Sequence, residues 1–280
     1  MPAIYAHLQF GEAVIKALPP AFFDMKEKYP DAFALGTQGP NLLSFHHPFQ
    51  NSLVCSLSTR YHNASAEWFF FDAGKRMLKN AKEDILRDNG AYAAYVCGYL
   101  THFVLDAVCH PYINAEQDEQ VTHNKIETEF EKNRLRKAGK PTRGYNPADE
   151  IAVREETLHA CAEALGIPSE DIALCAKTLR RSAWWFSHKS GFIHAVAHTV
   201  LFFTGTERRF GDMFYSKKDD PLCARTNEVL DEKFDIAIEK AKALIENYFS
   251  TLPQTVAKGK LDDFFRYNYS ASRYEEGETE

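Results

Sequence analysis

No uninterrupted apolar run in this chain reaches the roughly 18 residues that a membrane-spanning helix needs. The opening MPAIYAHLQF has neither a basic n-region nor an unbroken hydrophobic stretch, so no secretion signal is read there and the expected location is cytoplasmic. A basic excess is missing as well. With a net charge of -6 the chain lacks what a phosphate-neutralising surface requires, and no nucleic-acid partner is expected. Cys55, Cys97, Cys109, Cys161, Cys175 and Cys223 lack the short paired spacing of a zinc knuckle or a redox motif, which leaves them as reduced, buried, small hydrophobes. There is no Gly-rich phosphate loop, no G-x-S-x-G elbow, no evident Cys–His pair and no repeat of fixed period. No segment alternates as a half-buried strand does.

What remains is helical. A composition of 45% hydrophobic and 26% charged residues belongs to a chain that folds rather than a disordered one. Ile4, Leu8, Gly11, Ile15 and Leu18 follow helical spacing until Pro19 and Pro20. The segment GTQGPNLLSFHHPF, residues 36–49, reads as a loop, and helical pattern is expected again only after His62. A helix is then predicted from Ala64 to Arg87, closed by Asn89 and Gly90. The next, AYAAYVCGYLTHFVLDAVCH, is apolar nearly all round, hence central and buried, and is expected to stop at Pro111. A charged helix follows over about 119–137, then segments near 148–165, 170–187 and 192–203, with Ser169 as an N-cap, and a last amphipathic helix over about 227–249. The predicted architecture is all-α, with a single helical domain over residues 1–269 and a polar, disordered tail, SASRYEEGETE, over 270–280.

His102, Asp106 and His110 recur every four residues on the central helix, which at about 100° per residue puts them within an arc of about 80°. An unpaired carboxylate on so apolar a helix costs several kcal/mol unless a cation or hydrogen bonds compensate it. Asp106 therefore requires a partner. Further on, HNKIE places His123 and Glu127 four apart on the next helix. Imidazole and carboxylate together suit zinc, at ligand distances of about 2.0–2.2 Å. His194 and His198 share that spacing without an acidic companion on their own helix, and are expected in packing. His46 and His47 are candidates for lining a cleft, Trp184, Trp185 and Phe186 for core or a lipid- or substrate-facing wall, and the Glu156–His159 unit, with no second copy, for a surface helix.

The run GYLTHFVLDAVCHPY, the following HNKIE, the upstream GTQGPN and His62 in STRYHNAS resemble the zinc-dependent phospholipase C family of bacteria, whose fold is shared with zinc-dependent single-strand nucleases. The likeness covers roughly residues 1–135. It implies a multi-helix bundle around two or three zinc ions. One ion would be held by His62, His102 and Asp106 with Asn41, a second by His110, His123 and Glu127, and a third by His7 and Asp106, so that Asp106 bridges. It implies hydrolysis of a phosphoric ester, possible substrates including phospholipid, by a water bridging the metals, with Asn41 and Asp106 the candidate catalytic positions. Two departures stand out. Asn41 occupies the place of the family's aspartate, and the chain begins Met-Pro before His7 where the family uses a mature terminal amine. The rival expectation is a non-catalytic helical binding protein, stabilised by metal, that keeps the fold.

Overall fold

In the computed structural model, which describes residues 3–50 and 52–273, the chain is helical, and among the described residues extended pairing is limited to one bridge between Tyr267 and Arg273. Helix α1 (Ile4–Ala17) ends at Leu18, as the two prolines predict. Those prolines also begin the next element. Pro20 is the first residue of α2 (Pro20–Lys28) and Pro30 the first of α3 (Pro30–Gly36), positions where a missing N–H costs nothing and the fixed φ already suits a helix.

The expected loop over 36–49 contains a buried 3-10 turn, Gly39–Phe45, and the unexpected helix α4 (Leu53–Asn63) precedes the position where helix was predicted to resume. Ser52 starts α4, its hydroxyl accepting the Cys55 N–H at 3.0 Å. Helix α5 (Ala66–Asn80) stops short of the predicted Arg87. The chain turns there because one carboxylate oxygen of Asp88 accepts the backbone N–H groups of Lys82, Glu83 and Asp84.

The central helix, α6 (Ile85–Glu116), is longer at both ends than its apolar pattern suggests. Gly90, expected as a stop, is a kink at φ 48°, ψ -117°, and a Cβ there would lie 2.8 Å from the Tyr29 hydroxyl. Pro111, also expected as a stop, is passed: it is exposed, so its ring sits outside the packed core while the helix runs on to Ile113, which is buried. The helix is long and apolar enough to cross a membrane, but 94% of its most apolar window is buried inside the protein, as in a core helix.

Two glycines set how α3 meets α6. A Cβ on Gly36 would lie 2.2 Å from the Tyr95 carbonyl oxygen, and one on Gly98 would lie 2.3 Å from that of Phe33. The backbones therefore touch, and the chain leaving α3 is laid against His102. Helix α7 (His123–Lys137) reads as charged, yet Glu129, Glu131 and Lys132 are fully buried. Lys132 Nζ donates to both Glu129 oxygens at 2.8 and 2.9 Å, to Ser216 Oγ and to the Lys218 carbonyl, which satisfies a charge that could not otherwise be buried.

Helices α8 (Glu155–Leu165), α9 (Ser169–Ser187), α10 (Gly191–Phe203) and α11 (Glu207–Phe210) follow. Ser169 is the first helical residue of α9 rather than its cap; Pro168 takes that place, with no side-chain cap. The last helix, α12 (Ala224–Lys258), is about a turn longer at its start and two turns longer at its end than predicted, and packs Phe234 edge-on to Phe10 of α1 and Tyr248 against Phe70 of α5. Beyond it, Tyr269 is buried against His62 and His102, the chain turns at Tyr269 and Ser270, and Arg273 bridges back to Tyr267; the rest of the predicted tail, residues 274–280, lies outside the described residues. All six cysteines are buried and unpaired.

Candidate metal centre

The cluster is assembled around Asp106. From α6 itself, His102 Nε2 approaches Asp106 Oδ2 at 3.1 Å and His110 Nε2 approaches Oδ1 at 3.5 Å. Helix α1 brings His7 Nε2 to 3.3 Å from Oδ1, its ring stacked on that of His102 with centroids 4.2 Å apart. Helix α4 brings His62 Nε2 to 3.8 Å from Oδ2. Helix α7 adds Glu127, whose Oε1 lies 3.3 Å from His110 Nε2 and 3.2 Å from His123 Nε2. Two compact donor groups result: His7, His102 and Asp106, and His110, His123 and Glu127. The tighter group around Asp106 thus contains His7, with His62 slightly farther out, whereas the family resemblance placed His62 with His102.

The rings are held from behind. His102 Nδ1 donates to the Thr37 carbonyl at 3.0 Å, His110 Nδ1 to that of Tyr269 at 2.9 Å, and His62 Nδ1 to that of Ser58 at 2.7 Å. A carbonyl oxygen can only accept, so each Nδ1 carries a proton, and in a neutral ring Nε2 then presents a lone pair. His123 Nδ1 lies 3.1 Å from Asn114 Oδ1. Thr37, Ser58, Asn114 and Tyr269 were not singled out in the sequence, because a carbonyl or amide anchor leaves no spacing pattern.

Burial pulls His7 down to about 4 and His62 to about 3, so both are neutral near pH 7. His110 moves the other way: burial lowers it, but Asp106 and Glu127 outweigh that and raise it. For Asp106, burial alone would raise the carboxyl, yet His110, His102 and His7 hold it well below the usual carboxylate range. Burial is likewise outweighed at Glu127, by His123 and His110 among others. At His62, neutral and with its proton on Nδ1, an imidazole lone pair therefore faces the Asp106 carboxylate. His102 Nε2 and Asp106 Oδ2 in particular are buried without a hydrogen-bond partner. Such facing acceptors repel unless a cation lies between them, and nitrogen and oxygen donors of this kind fit zinc.

Asn41 sits on the buried 3-10 turn, two residues after Gly39. Gly39 is required there: at φ +52° its Cβ would fall 2.2 Å from Cδ2 of His102. The side-chain oxygen of Asn41 is buried and has no hydrogen-bond partner.

Glu131, one turn beyond Glu127, was also missed. Its two oxygens accept the N–H groups of Tyr5 and Ala6 at 2.7 and 2.8 Å, and Tyr215 Oη donates to it at 3.2 Å. It caps the first turn of α1 from another helix and so fixes His7. Burial pushes its carboxyl up to about 8 even though these hydrogen bonds favour the anion.

The remaining candidates stand apart from the cluster. His46 braces the 3-10 turn to α9, with Nε2 3.1 Å from Asp171 and Nδ1 2.8 Å from Ser52 Oγ, and His47 packs edge-on against it. His198 pairs with Glu207 of α11 at 2.6 Å and His194 lies against Phe214. Glu156 and His159 are exposed; Trp184 is exposed, while Phe186 is buried.

No curated protein and no solved structure matches the chain. A family model described as zinc dependent phospholipase C matches residues 6–166, more than half of the chain and a span that includes all eight candidate ligands from His7 to Glu127. The chain belongs to the zinc dependent phospholipase C family.

Proposed function

We propose that this chain is a zinc-dependent phosphoric-ester hydrolase whose ions are held by His7, His102 and Asp106, with His62 and Asn41 beside them, and by His110, His123 and Glu127. The observation that carries this reading is the buried Asp106 carboxylate with four imidazole Nε2 atoms within 3.8 Å. Bound zinc would supply Lewis acidity, lowering the pKa of a coordinated water to about 7 and offsetting phosphoryl charge.

The protein's own groups do the rest. Asp106 turns one oxygen toward His7 and His110 and the other toward His102 and His62, which suits a carboxylate shared between ions. The carbonyls of Thr37, Ser58 and Tyr269 fix the ligand rings and keep the proton on Nδ1. Asp106 and Glu127, held as anions, are suited to ligation and are weak bases. Asn41 can offer an oxygen but cannot accept a proton at neutral pH, so the chain lacks the general base that the family's aspartate provides.

Asn41→Asp tests this directly. General-base assistance contributes about 10²–10⁴-fold, so the zinc-loaded variant is expected to turn over a chromogenic phosphodiester well above the native protein. An added anion also weakens the Lewis acid and repels phosphate, which offsets part of the gain. Equal or lower turnover, with metal content confirmed in both, would contradict the hydrolytic reading. It would favour the second one, a metal-stabilised binding protein, for which the uncharged Asn41 is the supporting observation.

A further inference from the structure

Helix α10 is built against the usual logic of a soluble surface. GFIHAVAHTVLFF contains no Asp, Glu, Lys or Arg, yet only Leu201 is buried. Phe192, Phe202 and Phe203 are 78%, 72% and 82% exposed, and Val196 and Val200 of the same helix are exposed as well. Its inner side is not tightly packed either. A cavity of about 380 Å³ lies beneath it, lined by Trp185, Phe186, Val196, Val200, Phe210 and Phe214. So many large apolar side chains in contact with water mark a docking face.

Charge identifies what docks. In a chain of net charge -6, residues 172–206 contain Lys177, Arg180, Arg181 and Lys189 and no acidic residue. Arg180 is paired with Asp149. Lys177, Arg181 and Lys189 are exposed, Arg181 also lining the cavity under α10. A symmetric contact between two copies would bring this basic patch against itself. An anionic surface that also accepts apolar side chains meets both requirements, and a bilayer containing acidic phospholipid is such a surface.

We infer that α10 docks the protein on anionic membranes, with Phe192, Phe202 and Phe203 entering the headgroup region while Lys177, Arg181 and Lys189 face the lipid charges. The helix lies outside residues 6–166, the part matched by the family model. This goes beyond the hydrolytic reading, and its readout is binding rather than turnover.

The test is flotation of the full chain with vesicles of phosphatidylcholine alone and of phosphatidylcholine mixed with phosphatidylglycerol. The native protein is expected to float with the mixed vesicles, to bind the neutral ones more weakly, and to lose the difference at high salt. Phe192→Ser/Phe202→Ser/Phe203→Ser, all at exposed positions, is expected to weaken binding at least tenfold with an unchanged melting curve. Neutralising Lys177, Arg181 and Lys189 to Gln should weaken it by about five-fold per residue. Absence of flotation by the native chain, or undiminished flotation of the Phe variant, overturns the proposal. So does light scattering that shows a native dimer abolished by the Phe substitutions.

Discussion

Two helices carry ligand-type side chains at a four-residue spacing, His102, Asp106 and His110 on α6 and His194 and His198 on α10, and only α6 turns them into a donor cluster. In α6, His102 and His110 flank a carboxylate on their own face, and α1, α4 and α7 converge on that face with further ligand-type side chains. In α10, His194 and His198 have no carboxylate between them; His198 finds a single carboxylate, Glu207 of α11, at a half-exposed position and His194 packs on an aromatic ring. Spacing places side chains on one face. Whether that face can hold a cation depends on burial, on a central anion and on anchors that turn each Nε2 inward.

The largest effect expected from breaking this arrangement belongs to Asp106→Ala, which removes the carboxylate facing four rings. Zinc content should fall by more than one equivalent, whereas His123→Ala or Glu127→Ala should lose a single ion. Equal losses in all three variants would argue against the shared role of Asp106.

A change of pH should separate the two regions without any mutation. In metal-free protein, His7 and His62 take up protons only near 4 and 3, while the unfolded chain takes them up around 6.5. The unfolded state therefore binds more protons as pH falls below 6.5, and folding stability drops. Asp106 and Glu127, held low when folded, add to the loss in the carboxylate range; the raised His110 and the raised Glu131 oppose it. The urea midpoint of metal-free protein is expected to be lower at about pH 5 than at about pH 7. A flat profile would mean that these histidines are not buried as neutral rings.

Glu131→Gln sharpens the comparison from the side of α1. An amide can accept through one oxygen only, so one N–H of the first turn loses its partner, at a cost of about 1–3 kcal/mol in urea unfolding. Zinc affinity should fall with it, because His7 rides on that turn. Unchanged zinc affinity would limit Glu131 to a structural role. The smallest effect is expected at α10: His194→Ala/His198→Ala should leave zinc content unchanged and stability within about 0.5 kcal/mol.

The all-helical fold, α1 and α7 were legible because proline, glycine and periodic apolar residues mark them locally. So was the shared face of His102, Asp106 and His110. Helix α4, which carries His62, was not, since LVCSLSTRYHN mixes Ser and Thr among its apolar positions and is stabilised by what it packs on. The reach of α6 past Pro111 was hidden by a local rule that tertiary packing overrides. The burial of Glu129, Glu131 and Lys132 could not be read at all, because partners such as Ser216 and the N–H groups of Tyr5 and Ala6 are more than 80 residues away. The same distance separates His7 from His102, and only the fold brings the two rings into contact.

Elemental analysis of the purified full chain after metal-free dialysis tests the central claim most directly. Two separable donor groups predict at least two equivalents of zinc or a similar divalent ion per chain. One equivalent or less would contradict the account, because the lone pairs around Asp106 and Glu127 would then not be held in place by cations.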